Sequence, residues 1–146
     1  MNPKIIKILA ATTYLAMVLT NYLANALPIN NVTTGQVSNN YVNLFAPAGI
    51  TFSIWGIIYL LLGAYVLHQF QIFGKTKKEK LIQKIGTYFI ITSIANILWI
   101  LAGHHDYLAI SIIIMLTILT SLIKIADILR KEKLNKKEYI LIKLPF

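Results

Sequence analysis

Four long apolar stretches alternate with short polar segments along the chain. Residues 5–27, 50–73, 85–102 and 108–129 are predominantly apolar, and a helix of each length would cross most or all of a hydrocarbon core of about 30 Å. The pattern predicts an all-α, multi-pass transmembrane helical bundle with four spans, forming one domain over residues 1–146. Residues 28–49 are predicted to be a polar loop, and the basic segment 74–84 a second loop.

The first apolar stretch has two interpretations. Lys4 and Lys7 precede an apolar run that leads to the small residues of Ala24-Asn25-Ala26, which imitates a cleavable signal peptide. The whole run from residue 5 to residue 27 is nevertheless long enough to span a membrane. We therefore prefer a retained first helix.

Basic residues mark one side of the predicted bundle. The chain has 14 Lys and Arg against 5 Asp and Glu, a net charge of +9. None of the basic residues lies in residues 28–49 or 103–107, the loops after the first and third spans. The positive-inside rule therefore predicts a protein of the cell membrane with both termini in the cytoplasm. Because the positive charge borders apolar spans, it does not indicate a nucleic-acid partner, and none is predicted.

Asparagines and aromatic residues gather in the half of the bundle that faces away from the basic side. On each of the first three helices they share a face, at spacings of three or four residues. They are Asn21 and Asn25, then Phe52, Trp55 and Tyr59, then Asn96 and Trp99. Periodicity alone favours an interfacial aromatic belt with hydrogen bonds between helices. The alternative is a pocket with apolar walls and a few orienting amides.

Two of these segments resemble a known family. The second helix, from Pro47 through its three aromatic residues to Gly63, Ala64 and Tyr65, is similar to the signature P…F..VW..LY..MGxAxY. Asn96 and Trp99 resemble the LN..W pattern of the third helix in the same family. The chain is identified as a divergent member of the tryptophan-rich sensory protein/translocator protein (TspO/MBR) family. It departs from the family in its short Ala46–Gly49 proline segment and in having only two Trp.

The resemblance implies a membrane protein that binds a hydrophobic small molecule, such as a porphyrin or a sterol-like ligand, in sensing or transport. It implies a ligand-binding site formed by Asn21, Asn25, Pro47, Phe52, Trp55, Tyr59, Asn96 and Trp99. The expected partners are the lipid bilayer and this ligand, with a homodimer left open. Because the family has five spans, the resemblance also implies a TspO-like fold that lacks its fifth helix here, in a C-terminally incomplete chain.

Other chemistry finds little support in the residues. The chain has no Cys and no nucleophile with a neighbouring base, so we predict neither an enzyme nor a cofactor other than a porphyrin or haem-like ligand. The adjacent His104, His105 and Asp106 are poorly spaced for a metal, and no metal site is predicted. His68 is expected to be an interfacial residue. The alternative function is an accessory subunit of a membrane transporter complex without a ligand of its own, which would present Gly56, Gly63 and Ser111 to a partner helix.

Overall fold

The computed structural model describes residues 2–27, 29–40, 54–74 and 78–146. Four long helices are present, namely α1 (Pro3–Ala26), α3 (Ile54–Gln69), α4 (Glu79–His104) and α5 (Leu108–Arg130). The short elements are a 3₁₀ turn (Ile29–Asn31), α2 (Thr34–Asn40), α6 (Lys136–Glu138) and a C-terminal π-helical turn (Tyr139–Lys143). The described residues contain no strand, and the predicted all-α class is confirmed.

Helix α4 is the centre of the bundle, because α1 and α5 both pack along it and α3 packs against α1. By length and composition α1, α4 and α5 could each cross a membrane, whereas the described part of α3 is a shorter apolar helix. Large apolar side chains remain exposed along the outer faces, including Leu60, Ile113 and Leu15. Exposed apolar faces of this extent suit contact with lipid. The fold is an all-α membrane bundle.

The predicted helix boundaries hold for α1 and α5 but not for the hairpin between α3 and α4. The second helix was expected to reach residue 73, yet α3 ends at Gln69, and Gln71 just beyond it adopts a positive φ angle of 62°. Such left-handed residues end a helix. The predicted loop over 74–84 is also wrong from Glu79 onward, where α4 begins. An acidic residue in the first turn stabilises a helix N-terminus. Residues 50–53 of the predicted span lie outside the described residues.

The polar loop predicted over residues 28–49 contains a helix instead. Thr33 and Gln36 exchange hydrogen bonds at the start of α2, from the Thr33 backbone N–H to Gln36 Oε1 at 2.7 Å and from the Gln36 N–H to Thr33 Oγ1 at 3.3 Å. This reciprocal pair is a capping box, which satisfies two backbone donors at a helix N-terminus. The prediction of an all-loop segment is therefore wrong over 34–40.

The core lies at the end of the bundle where the basic residues gather, which we call the basic end. Its fully buried side chains include Tyr65 from α3, Phe89 from α4 and Ile125 from α5. At the surface of this end, Lys78 Nζ lies 2.8 Å from Glu132 Oε2 and links α4 to the segment after α5. The hydrogen bond to Glu132 raises the pKa of Lys78.

The C-terminal segment closes the basic end. Phe146 packs edge-on against Tyr65, with ring centroids 5.0 Å apart, and against Phe89 at 5.8 Å. Lys137 Nζ donates a hydrogen bond to the Phe73 carbonyl. His68 lies beneath this segment at 2% exposure, and neither ring nitrogen has a hydrogen-bond partner among the described residues. The expectation that His68 is an interfacial residue stays a prediction, because burial within the protein does not set its depth in a membrane; the burial itself was not predicted.

Candidate functional site

A cavity of about 900 Å³ opens at the end of the bundle opposite the basic end, between α1, α2, α3 and α4. We call this the cavity end. Six of the eight residues predicted as a ligand-binding site line it, namely Asn21, Asn25, Trp55, Tyr59, Asn96 and Trp99. The remaining two, Pro47 and Phe52, lie outside the described residues. The volume is within the range of pockets that hold drug-sized ligands.

An amide pair links α1 and α4 at one wall of the cavity. Asn21 Nδ2 donates to Asn96 Oδ1 at 2.7 Å and to the Met17 carbonyl at 2.9 Å. Both hydrogens of the Asn21 amide are thereby used. Among the described residues, Asn21 Oδ1 and Asn96 Nδ2 make no further hydrogen bond, so the pair offers one acceptor oxygen and one NH2 group with two hydrogens. Asn25 lies one turn further along α1, where its amide donates to the Asn21 carbonyl at 3.0 Å.

Aromatic side chains supply the apolar walls. Trp55 and Tyr59 stack on one face of α3, with ring centroids 6.2 Å apart and planes inclined by 28°. Trp99 faces the same cavity from α4 and is half-buried. The two tryptophans of the chain thus both line the cavity, on different helices.

Tyr14 forms the floor of the cavity and separates it from the core. Its hydroxyl donates to the Tyr59 carbonyl at 2.8 Å, and its ring lies 6.4 Å from that of Phe89. This approach requires Gly63, because a Cβ there would lie only 2.7 Å from the Tyr14 hydroxyl oxygen. A glycine at this position lets a side chain of α1 reach the backbone of α3.

The short elements after α1 form the roof. Asn30 Nδ2 donates to the His104 carbonyl at 3.0 Å and fastens the 3₁₀ turn to the end of α4. Thr34 and Gly35 of α2 line the cavity. Thr34 Oγ1 is buried, and it has no hydrogen-bond partner among the described residues. A buried hydroxyl of this kind is normally satisfied by water or a ligand.

The described cavity lining carries no charged side chain. Its described residues are apolar side chains, aromatic rings, amides, one threonine and glycines, without Lys, Arg, Asp, Glu or His. Within the described part of the chain, no three His, Asp or Glu side chains are grouped so as to hold a metal ion. The lining therefore offers hydrogen bonds and apolar contact rather than acid–base groups.

A family model described as TSPO-like protein matches residues 7–146, nearly the whole chain. The chain belongs to the TSPO-like protein family. This confirms the resemblance that the second-helix and third-helix patterns carried. No curated protein and no solved structure matches the chain.

Sequence reasoning missed Tyr14, Thr34 and Gly35 as parts of the cavity. Tyr14 lies seven residues before Asn21 and so shares its helical face, a spacing that would have identified it. The Thr33–Gln36 capping pattern would have revealed α2, and with it the roof. By contrast, Gly63 contacts Tyr14 within the chain. Gly63, one of the small residues expected to face a partner helix in the accessory-subunit alternative, is therefore occupied by a contact within the chain.

Proposed function

We propose that this TSPO-like protein binds a hydrophobic small molecule, such as a porphyrin or a sterol-like ligand, in the cavity between α1, α2, α3 and α4. One observation carries the proposal. Residues from three helices, distant in sequence, converge on one cavity of about 900 Å³ with aromatic walls and an amide pair. Apolar walls with a few polar groups are the usual composition of a small-molecule site. The role is binding for sensing or transport rather than catalysis.

The orientation completes the proposal. With the basic end in the cytoplasm, as the positive-inside rule requires, the cavity opens toward the outer face of the cell membrane. Both termini are then cytoplasmic. Ligand would reach the cavity from the outer leaflet or the space above it, whereas the core and the C-terminal segment obstruct the path to the basic end.

Intrinsic fluorescence tests the proposal directly, because both tryptophans line the cavity. The full chain, purified in detergent, is titrated with porphyrins, whose absorption quenches tryptophan emission at close range. Loss of one aromatic wall removes roughly 1–3 kcal/mol of apolar contact. We therefore expect Trp55→Ala and Trp99→Ala each to weaken binding about 5-fold or more. Asn96→Leu should change the selectivity among ligands, because it removes an orienting amide.

Phe70→Ala is the matched control. Phe70 is a large, exposed aromatic residue of the α3–α4 hairpin at the basic end, outside the cavity lining. Its removal should leave the affinity unchanged. Equal affinities in folded Trp55→Ala, Trp99→Ala and wild-type proteins would refute the proposal. A stoichiometric protein partner without saturable ligand binding would favour the accessory-subunit alternative.

A further inference from the structure

The charges of the chain are separated along the bundle axis. The 12 Lys and Arg among the described residues all lie in the segments that meet at the basic end or in the last two turns of α5 that lead to it. The other two, Lys75 and Lys77, lie outside the described residues. At the cavity end, the described residues 29–40 contain no Lys, Arg, Asp or Glu, and the α4–α5 turn contributes one carboxylate, Asp106. The sequence of residues 41–53 contains no charged residue either. Within the described part of the chain, no lysine or arginine therefore lines the cavity.

The histidines near the cavity do not replace the missing cations. His104 and His105 both lie at the end of α4, and neither is part of the described cavity lining. Each directs its Nδ1 atom to a carbonyl of α4, Ile100 for His104 and Leu101 for His105, at 2.8 Å. The polar groups that do line the cavity are neutral.

The neutral lining of the cavity determines which ligand charge it can accommodate. A carboxylate transferred from water into an apolar cavity loses its hydration, and without a counter-ion that loss is not offset. A neutral hydroxyl or carbonyl, in contrast, can be satisfied by a single donor or acceptor. The cavity offers the Asn96 Nδ2 donor, the Asn21 Oδ1 acceptor and the buried Thr34 hydroxyl, which lacks a partner among the described residues.

We infer that the cavity selects a neutral lipophile that carries a hydroxyl or carbonyl group, and discriminates against a carboxylate-bearing molecule of the same size. This inference rests on the proposed function and refines it. A sterol-like or esterified ligand should therefore bind in the cavity more tightly than a free tetrapyrrole diacid.

A pair of porphyrins isolates the effect of charge. Protoporphyrin IX carries two carboxylates, and its dimethyl ester has the same ring without them. Affinities are measured by tryptophan quenching of the full chain in a neutral detergent, corrected for the partition of each porphyrin into micelles. We expect the ester to bind wild-type protein about 10-fold more tightly or better. Trp55→Ala should weaken ester binding, which shows that the measured site is the cavity.

Substitutions at Gly35 permit a second test. It compares two variants under the same conditions, so the partition of each porphyrin into micelles affects both equally and cancels. Gly35 lines the cavity, and a Cβ built on it meets nothing within 4 Å. Gly35→Lys therefore brings a cation to the roof, and Gly35→Gln adds a neutral side chain of similar length. We expect Gly35→Lys to shift the ratio of diacid to ester affinity toward the diacid by about 5-fold relative to Gly35→Gln. Added salt should reduce this shift, because it screens exposed charges.

The outcomes separate the inference from the proposed function. If neither porphyrin binds at the cavity, the proposed function fails. If the diacid binds wild-type protein as tightly as the ester, and Trp55→Ala weakens both equally, the cavity binds its ligand but the preference for a neutral one is refuted. An equal ratio in the Gly35→Lys and Gly35→Gln proteins would likewise contradict the electrostatic argument.

Discussion

Gly63→Ala should destabilise the bundle although alanine is the better helix former. The new Cβ would lie 2.7 Å from the Tyr14 hydroxyl oxygen, closer than real Cβ contacts allow. Tyr14 must then move, which breaks its hydrogen bond to the Tyr59 carbonyl and shifts its ring relative to Phe89. Gly56 supplies the matched control on the same helix, since a Cβ there meets nothing within 4 Å.

Three contributions determine how far Gly63→Ala changes the free energy of unfolding. Replacing glycine by alanine favours the helix by up to about 1 kcal/mol, and this gain is common to Gly56→Ala and Gly63→Ala. Loss of the hydrogen bond costs about 0.5–1.5 kcal/mol, with values near 0.6 typical inside membranes. Loss of the aromatic contact adds about 0.5–1.5 kcal/mol. Gly63→Ala should therefore be about 1–3 kcal/mol less stable than Gly56→Ala.

A double-mutant cycle isolates the contact. Tyr14→Phe removes the hydroxyl and leaves the ring carbon Cζ at 3.4 Å from the new Cβ, an ordinary van der Waals distance. In that background Gly63→Ala should behave like Gly56→Ala. Reversible unfolding in mixed micelles, followed by circular dichroism, measures all five proteins. Equal stability of the two alanine variants, or an unchanged cost of Gly63→Ala in the Tyr14→Phe background, would show that the approach of Tyr14 to α3 is not tight.

Two further predictions concern the basic end and the orientation. Phe146→Ala should lower the free energy of unfolding by about 1–3 kcal/mol, because it removes contacts with Tyr65 and Phe89, whereas Leu144→Ala, at an exposed position, should have little effect in the same assay. Cysteines introduced at Ser38 and Lys78 should react with an impermeant thiol reagent from opposite sides of the membrane. Labelling of both from outside intact cells would contradict the proposed orientation.

The sequence was sufficient to predict helix bounds and the residues that line the cavity where the underlying pattern is local and uninterrupted. The ends of α1 and α5 follow from apolar runs bordered by charge, and the predicted bounds of both helices differ from the structure by two residues or fewer. The convergence of Asn21, Trp55 and Asn96 followed from helix direction combined with helical period. Each of these inferences uses information within one segment and the alternation of helix directions.

The sequence was insufficient to predict the structure in two situations. In one, charged residues concealed the apolar periodicity of a helix; in the other, the contacts join residues far apart in the chain. In α4 the buried residues Leu81, Ile82 and Ile85 lie among lysines, so the first turns resembled a solvated loop. No local signal predicts that Phe146 would reach the rings of Tyr65 and Phe89. The burial of His68 was not predicted either, because its position near the end of a helix indicates only a residue near the membrane boundary.

Two glycines of the bundle each accommodate a side chain of α1. Gly63 on α3 lies under Tyr14, and Gly86 on α4 lies under Ile6, whose Cγ2 atom would be 2.8 Å from an added Cβ. In each contact, the size of the residue tolerated at one position depends on the residue at the facing position of another helix. Relatives that replace the glycine should therefore carry a smaller residue at the facing position of α1. Covariation of these pairs among relatives would thus record the register of α1 against its two neighbours.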